Sequence, residues 1–222
     1  MKTKETVIFF CAHPDDEAIG PGGTIAAYAK EGKNVIVVLF TNGEASHPWL
    51  KEHVITKRRQ MEVDASAYIL GVTSVINLKL RDSKLKEDYK SGLAKKEVLK
   101  VLKKHKPQKV FAHARDDMLY PDHVAVHNSV VEAVDEYSHN LPESQKPHMY
   151  TFNIWSIPFR KRNTPQLYVD ITETFDKKKR ALKCFKSQRL ALAQLWPTVY
   201  AKAYLSGKNA HCKYAEKFYK IR

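Results

Sequence analysis

Hydrophobic positions along the chain change period several times, and each change marks an element. Val7-Ile-Phe-Phe-Cys-Ala12 is an unbroken apolar run with β-branched residues, as expected of a strand covered on both faces. Asn34-Val-Ile-Val-Val-Leu-Phe40 is a second such run. Between them a short helix is predicted from about Gly23 to Glu31, ended by Gly32. A longer helix is predicted from about Thr56 to Leu70, stopped by Gly71, and Val75-Ile-Asn-Leu-Lys-Leu80 alternates as a third strand. Leu93 to Lys104 is amphipathic and stops before Pro107.

Val110-Phe-Ala112 reads as a short strand, and Val126, Val130, Val134 and Tyr137 mark a helical stripe from about Val124. Strands near Met149–Ile154 and Leu167–Asp170 and a helix from about Glu173 to Gln188 complete the pattern, and Trp196 to Arg222 carries no clear period. Strands alternating with helices predict an α/β fold: a Rossmann-like, mostly parallel sheet with helices on both faces, in a single domain over 1–222. Prolines 142, 147, 158 and 165 make 138–166 loop-rich, and that stretch is expected to rim the site.

The length of 222 residues suits one large domain with a core that needs no cross-links. Three scattered cysteines without CxxC spacing argue against a disulfide scaffold and fit a reducing compartment. No apolar stretch approaches a membrane span, and the first run is too short for a signal sequence, so the chain reads as a mature cytoplasmic protein. A formal charge of +14 invites a nucleic-acid reading. Most lysines, however, fall in helical surface stretches such as 95–106 and 177–183, which favours a solvated face over a nucleic-acid stripe. Attraction of an anionic substrate lies between the two.

In an open α/β sheet, ligands bind beyond the carboxyl ends of the strands. The segments leaving those ends are His13–Gly23, Thr41–His47, Leu80–Ser83 and His113–His123, all rich in ionisable residues. Within Ala12-His-Pro-Asp-Asp-Glu17, His13 and Asp16 are three apart in a turn entering a helix and can address one ion, leaving Asp15 free as a base. Asp15 or Asp16 could instead cap that helix. His123 opens a helix at the neighbouring strand end and could complete the ligand set, or cap its helix. Two histidines and one carboxylate suit hydrolytic zinc chemistry, and the same set is used by non-haem iron oxygenases.

Ala12-His-Pro-Asp-Asp-Glu17, Gly22-Gly-Thr24, Thr41-Asn-Gly-Glu44, Arg59-Gln-Met-Glu62, Leu70-Gly-Val72 and Pro121-Asp-His123 follow one another in an order and spacing that resembles the PIG-L/LmbE family. The likeness extends to Val169-Asp-Ile-Thr172, Lys186-Ser-Gln188 and Tyr214-Ala-Glu-Lys-Phe218, covering nearly the whole chain. The resemblance implies a zinc-dependent deacetylase of N-acetylglucosamine-type sugars or glycoconjugates, with one Zn2+ per chain held by His13, Asp16 and His123 and with Asp15 as general base. It also implies sugar contacts from Arg59 and Asp82 and assembly into trimers or hexamers. Otherwise Arg59 could pair with Glu62 on its own helix, and Asp82 could serve only its turn. Deacylation of another N-acyl amide, or sugar binding without turnover, are the alternative functions.

The family usually has His-Pro-Asp-His at the second segment, and here the first of these positions is Tyr120. A tyrosine hydroxyl can donate to an oxyanion without being a charged imidazolium, or the ring can simply pack. Asp122, which steadies that first histidine in the family, then becomes a partner for a metal ligand. His127, a turn further on, reads as structural.

Overall fold

The computed structural model describes residues 4–46, 49, 51–117, 120–155 and 164–222. Its centre is one seven-stranded sheet: β1 (Thr6–Cys11), β2 (Asn34–Leu39), β3 (Ser74–Asn77), β4 (Lys109–His113), β5 (His148–Phe152), β6 (Gln166–Asp170) and β7 (Ala215–Lys220). Their order is β3-β2-β1-β4-β5-β7-β6. The first five are mutually parallel, and β7 inserts antiparallel between β5 and β6. The α/β fold and mostly parallel sheet are thus as expected, and the last strand ties the far end of the chain into the same sheet.

Alternation along β1 supplies both cores. Val7, Phe9 and Cys11 face one side with residues of α2 (Gly22–Lys30), α3 (Glu52–Leu70), α7 (Phe175–Leu182) and α8 (Arg189–Asn209). Ile8, Phe10 and Ala12 face the other, with α4 (Leu85–Lys90), α5 (Leu93–His105) and α6 (Pro121–Ser138). The unbroken apolar runs of β1 and β2 are what a strand covered on both sides requires. A first turn of helix, α1 (Asp16–Ile19), leads from β1 towards α2. At Gly23 an added Cβ would stand 2.7 Å from Ile171 Cδ1, so α2 can approach that segment only with glycine there.

Several boundaries differ from expectation. The third strand stops at Asn77 rather than Leu80, because the Asn77 side chain takes the Lys79 amide at 2.8 Å and Lys79 turns into the left-handed region at φ 55°. The helix expected over 173–188 is shorter, α7 ending at Leu182, and a further helix, α8, begins at Arg189 and runs into the stretch that showed no clear period. There Leu195, Val199 and Ala203 form a buried stripe at four-residue spacing despite Pro197. β7 was also missed, since its Ala-Glu-Lys-Phe-Tyr-Lys is too polar to read as a covered strand. Of the expected rim over 138–166, residues 156–163 lie outside the described ones, as does His47 of the second strand-end segment.

Candidate metal centre and active site

β1 and β4 are adjacent and parallel, so their carboxyl ends bring 12–17 and 113–123 together. His13, Asp16 and His123 offer ligand atoms that all lie within 4.8 Å of one another. His13 Nδ1 is 3.7 Å from Asp16 Oδ2, and His123 Nε2 is 3.6 Å from Asp16 Oδ1. Two ligands each about 2.1 Å from a tetrahedral ion stand roughly 3.4 Å apart, so these gaps suit one metal between them.

Hydrogen bonding to the far side of each ring fits the same reading. His123 Nδ1 donates to Asp117 Oδ2 at 2.8 Å, which leaves Nε2 as a lone pair facing Asp16. The other oxygen of Asp117 accepts from the Trp155 amide at 2.9 Å, and Oδ2 also accepts from Ile154 N at 3.1 Å. His13 Nε2 donates to Asp122 Oδ2 at 3.2 Å and lies 3.3 Å from Asp82 Oδ1, leaving Nδ1 for an ion. The donor set therefore fits a divalent metal, with nitrogens oriented by carboxylates and an excess of negative charge around them. Burial works against charging His13, but with no cation present the Asp122 and Asp82 bonds and the Asp16 charge prevail and push it up to about 10. Burial likewise works against the Asp16 carboxylate, and the imidazoles of His123 and His113 against it still hold it well below the usual range.

Asp15 is set apart from the ligands by an unusual backbone. At φ 104° it lies outside the ordinary regions for a residue with a Cβ, a strain that persists only where its surroundings hold it. Its amide donates to Glu17 Oε2 at 3.0 Å, and Arg59 Nη1 and Nη2 reach its carboxylate at 3.4 and 3.3 Å. Arg59 also donates to the Pro14 carbonyl. Burial raises the Asp15 carboxyl, Arg59 opposes, the Asp16 charge adds, and the result is about 6. Gly43 makes this possible: it holds φ 69°, and a Cβ there would meet Arg59 Nε at 2.9 Å.

Arg59 is only 2% exposed, and its two terminal nitrogens bond Asp15 and Pro14, while its Nε has no partner among the described residues. The alternative pairing with Glu62 is not how Glu62 is used, since its carboxylate accepts from Ser187 N and Oγ at 2.8 and 2.6 Å. Asp82 accepts from Ala45 N at 2.8 Å as well as facing His13. Tyr120 caps α6 and is 40% exposed, with its ring stacked on His123 at 5.2 Å and on Trp155 at 4.8 Å. His127 Nδ1 donates to the His113 carbonyl at 2.8 Å.

Two residues at the centre were not singled out from the sequence. His113 is fully buried, stacks on His123 at 3.8 Å, and has Nε2 3.2 Å from both Asp16 Oδ2 and the Ala12 amide. Burial and the neighbouring His123 hold it down at about 4, hence neutral at pH 7. Asp117 is the other. Both stand in the second segment, and their spacing of four residues on a strand-to-loop exit carried no recognisable signature.

A family model described as PIG-L, GlcNAc-PI de-N-acetylase, matches residues 8–134. The diacetylchitobiose deacetylase of Thermococcus kodakarensis is 30% identical over 216 residues, covering 92% of this chain and 78% of that protein. Among solved structures, N,N'-diacetylchitobiose deacetylase from Pyrococcus horikoshii superposes with a TM-score of 0.82 at 26% identity, covering 99% of this chain and 85% of that one. The 4-carboxy-2-hydroxymuconate hydratase of Pseudomonas putida shares the fold at 23% identity, with a TM-score of 0.79 over 98% of this chain and 96% of the other. The fold alone therefore does not select deacetylation. Among the described residues, no helix is long and apolar enough to cross a membrane.

Proposed function

Because the chain belongs to the PIG-L family, we propose that it is a zinc-dependent hydrolase that removes the acetyl group from an N-acetylglucosamine-type sugar or glycoconjugate, releasing acetate and a free amine. One observation carries the mechanism: a buried carboxylate, Asp15, is held by Arg59 beside the convergent set His13, Asp16 and His123. Those three residues would hold the ion. Zinc bound there would polarise the acetyl carbonyl and bring the pKa of a water to about 7.

The chain's own residues do the remaining work. Asp15 takes the proton of the attacking water and returns it to the departing amine. Arg59 aims Asp15 by holding its carboxylate with both terminal nitrogens. Asp122 and Asp117 orient the two histidines. Tyr120, open to solvent against a ligand ring, donates its hydroxyl to the developing oxyanion in place of the family histidine. Asp82, at the same strand-end edge, accepts a hydrogen bond from a sugar hydroxyl.

The test is acetate release from a panel of N-acetylglucosamine derivatives, neutral and anionic because of the +14 charge, with and without added zinc. Zinc-dependent release establishes the reading, and the preferred member defines the aglycone. No release by protein carrying one zinc per chain overturns it. Iron in protein purified without added metal overturns the choice of zinc.

A further inference from the structure

Behind the metal centre lies a cavity of about 780 Å³ that none of the chemistry above uses. It is walled by the end of β5, by α8 and by β7, with Phe152, Val199, Ala203 and Leu205 among its apolar lining. Among the described residues, four lysines line it as well: Lys178, Lys202, Lys208 and Lys217. Lys178 is consumed by the fold, donating to the Gly20 carbonyl at 2.7 Å and to Glu216 Oε1 at 2.5 Å. Among the described residues, three lysines then line the cavity with one remaining carboxylate, Asp116, which accepts from Asn153 Nδ2 at 2.8 Å.

Lys202 is the informative member. Its Nζ donates to the carbonyls of Ile154 at 2.6 Å and Asn153 at 3.3 Å, which uses two of its three N–H groups on neutral acceptors. A partly buried ammonium with only uncharged partners gains when a charged acceptor completes it. Burial, with Lys178 and Lys217 adding repulsion, lowers it to about 8, while Asp117 pulls the other way.

We propose that this cavity is a binding site for a small organic anion, with a carboxylate or phosphate accepted by Lys202 and an apolar body lying along α8. Lys217 and Lys208 at the wall add attraction. An uncharged ligand of the same shape offers Lys202 only a neutral acceptor, without charge assistance, and gains nothing from the field of the lysines. The site is independent of the deacetylase reading, since it shares no residue with the catalytic set. It backs on to that set, however: the Ile154 and Trp155 amides, next to the carbonyls that Lys202 binds, hold Asp117.

The test is calorimetric titration of the full chain with hexanoate, hexyl phosphate and hexanol. One or both anions bind about tenfold or more tighter than hexanol, a factor matching one charge-assisted hydrogen bond, and the better anion identifies the head group. Lys202→Met loses that factor, and Lys202→Arg retains most of it. Lys217→Gln, partly exposed in the same wall, weakens binding by a few-fold and guards against a Lys202→Met chain that fails to fold. Equal affinity for hexanol, no saturable binding by the wild type up to millimolar ligand, or anion binding unchanged in Lys202→Met (the mark of an anion on the metal) each overturns the proposal. So does unchanged binding in Lys217→Gln where Lys202→Met does not fold.

Discussion

Asp117 Oδ2 stands 2.8 Å from His123 Nδ1, and the same carboxylate closes the amides of Ile154 and Trp155. One buried side chain therefore fixes both the tautomer of His123, the proposed metal ligand, and the chain leaving β5. Asp117→Asn cannot offer acceptors to all three donors at once. Metal affinity is expected to fall by roughly 10–100-fold, the usual cost of losing such an orienting partner. Competition against a chromophoric chelator measures it, and wild-type affinity in the variant would refute the role.

Asp15→Asn isolates the base. Asparagine tolerates positive φ better than most residues, so the backbone at φ 104° survives the exchange. Turnover should drop by about 10²–10⁴-fold while metal content stays at the wild-type level. Near-normal turnover with metal bound would show that another group takes the proton.

Tyr120 can be separated into its ring and its hydroxyl. Tyr120→Phe keeps the stack on His123 and Trp155 and removes only the donor. With the hydroxyl on the oxyanion, kcat falls by about 10²–10³-fold and KM moves little. With a packing role alone, Tyr120→Phe retains kcat. Steady-state kinetics on the preferred sugar decide between the two outcomes.

Lys202 makes a prediction about pH. Its pKa is lowered from 10.5 to about 8 by burial, against the pull of Asp117 and with Lys178 and Lys217 adding repulsion. Between those values the unfolded chain holds the proton more tightly, so this residue's contribution to stability rises with pH across about 8 to 10.5. Lys202→Met removes that dependence. The melting temperature of the variant relative to wild type is therefore highest at pH 7 and declines as both are taken to pH 10. A difference independent of pH would mean that the amine is not perturbed in the fold.

How much of this was legible along the chain depended on distance. The apolar runs of β1 and β2 and the local string from His13 to Glu17 are written within a few residues, and they led to the sheet and to the ligand set that the fold brings together. Arg59 was found by its family position, but its engagement with Pro14 and Asp15, 45 and 44 residues away, needed the fold. His113 and Asp117 went unassigned because an isolated histidine or aspartate at a strand exit has several uses, and only the stack of His113 on His123 and the bond of Asp117 to it decide between them. β7 and α8 were missed for a related reason. A half-polar strand and a helix with Pro197 in it are set by tertiary packing more than by period.

Glu216 is the extreme case, and it gives the last prediction. Helix α2 begins after Pro21 with no side-chain cap of its own. Its first amides, Gly23 N and Thr24 N, donate to Glu216 Oε1 and Oε2 at 2.9 and 2.8 Å, from a strand 193 and 192 residues later. Lys178 Nζ completes the group at 2.5 Å, and all of it is buried. A carboxylate so placed answers the positive end of a helix, two orphan amides and a buried ammonium together. Glu216→Gln still offers one oxygen but leaves the Lys178 charge uncompensated and turns an amide donor towards donors. The expected cost is about 3–5 kcal/mol, the range for breaking a buried ion pair by removing one partner. Lys178→Met alone should be destabilising too. The double variant Lys178→Met/Glu216→Gln should recover part of the loss, because the stranded charge is gone. Chemical denaturation of the four proteins completes the cycle, and additive losses in the double variant would refute the pair as the source of the cost.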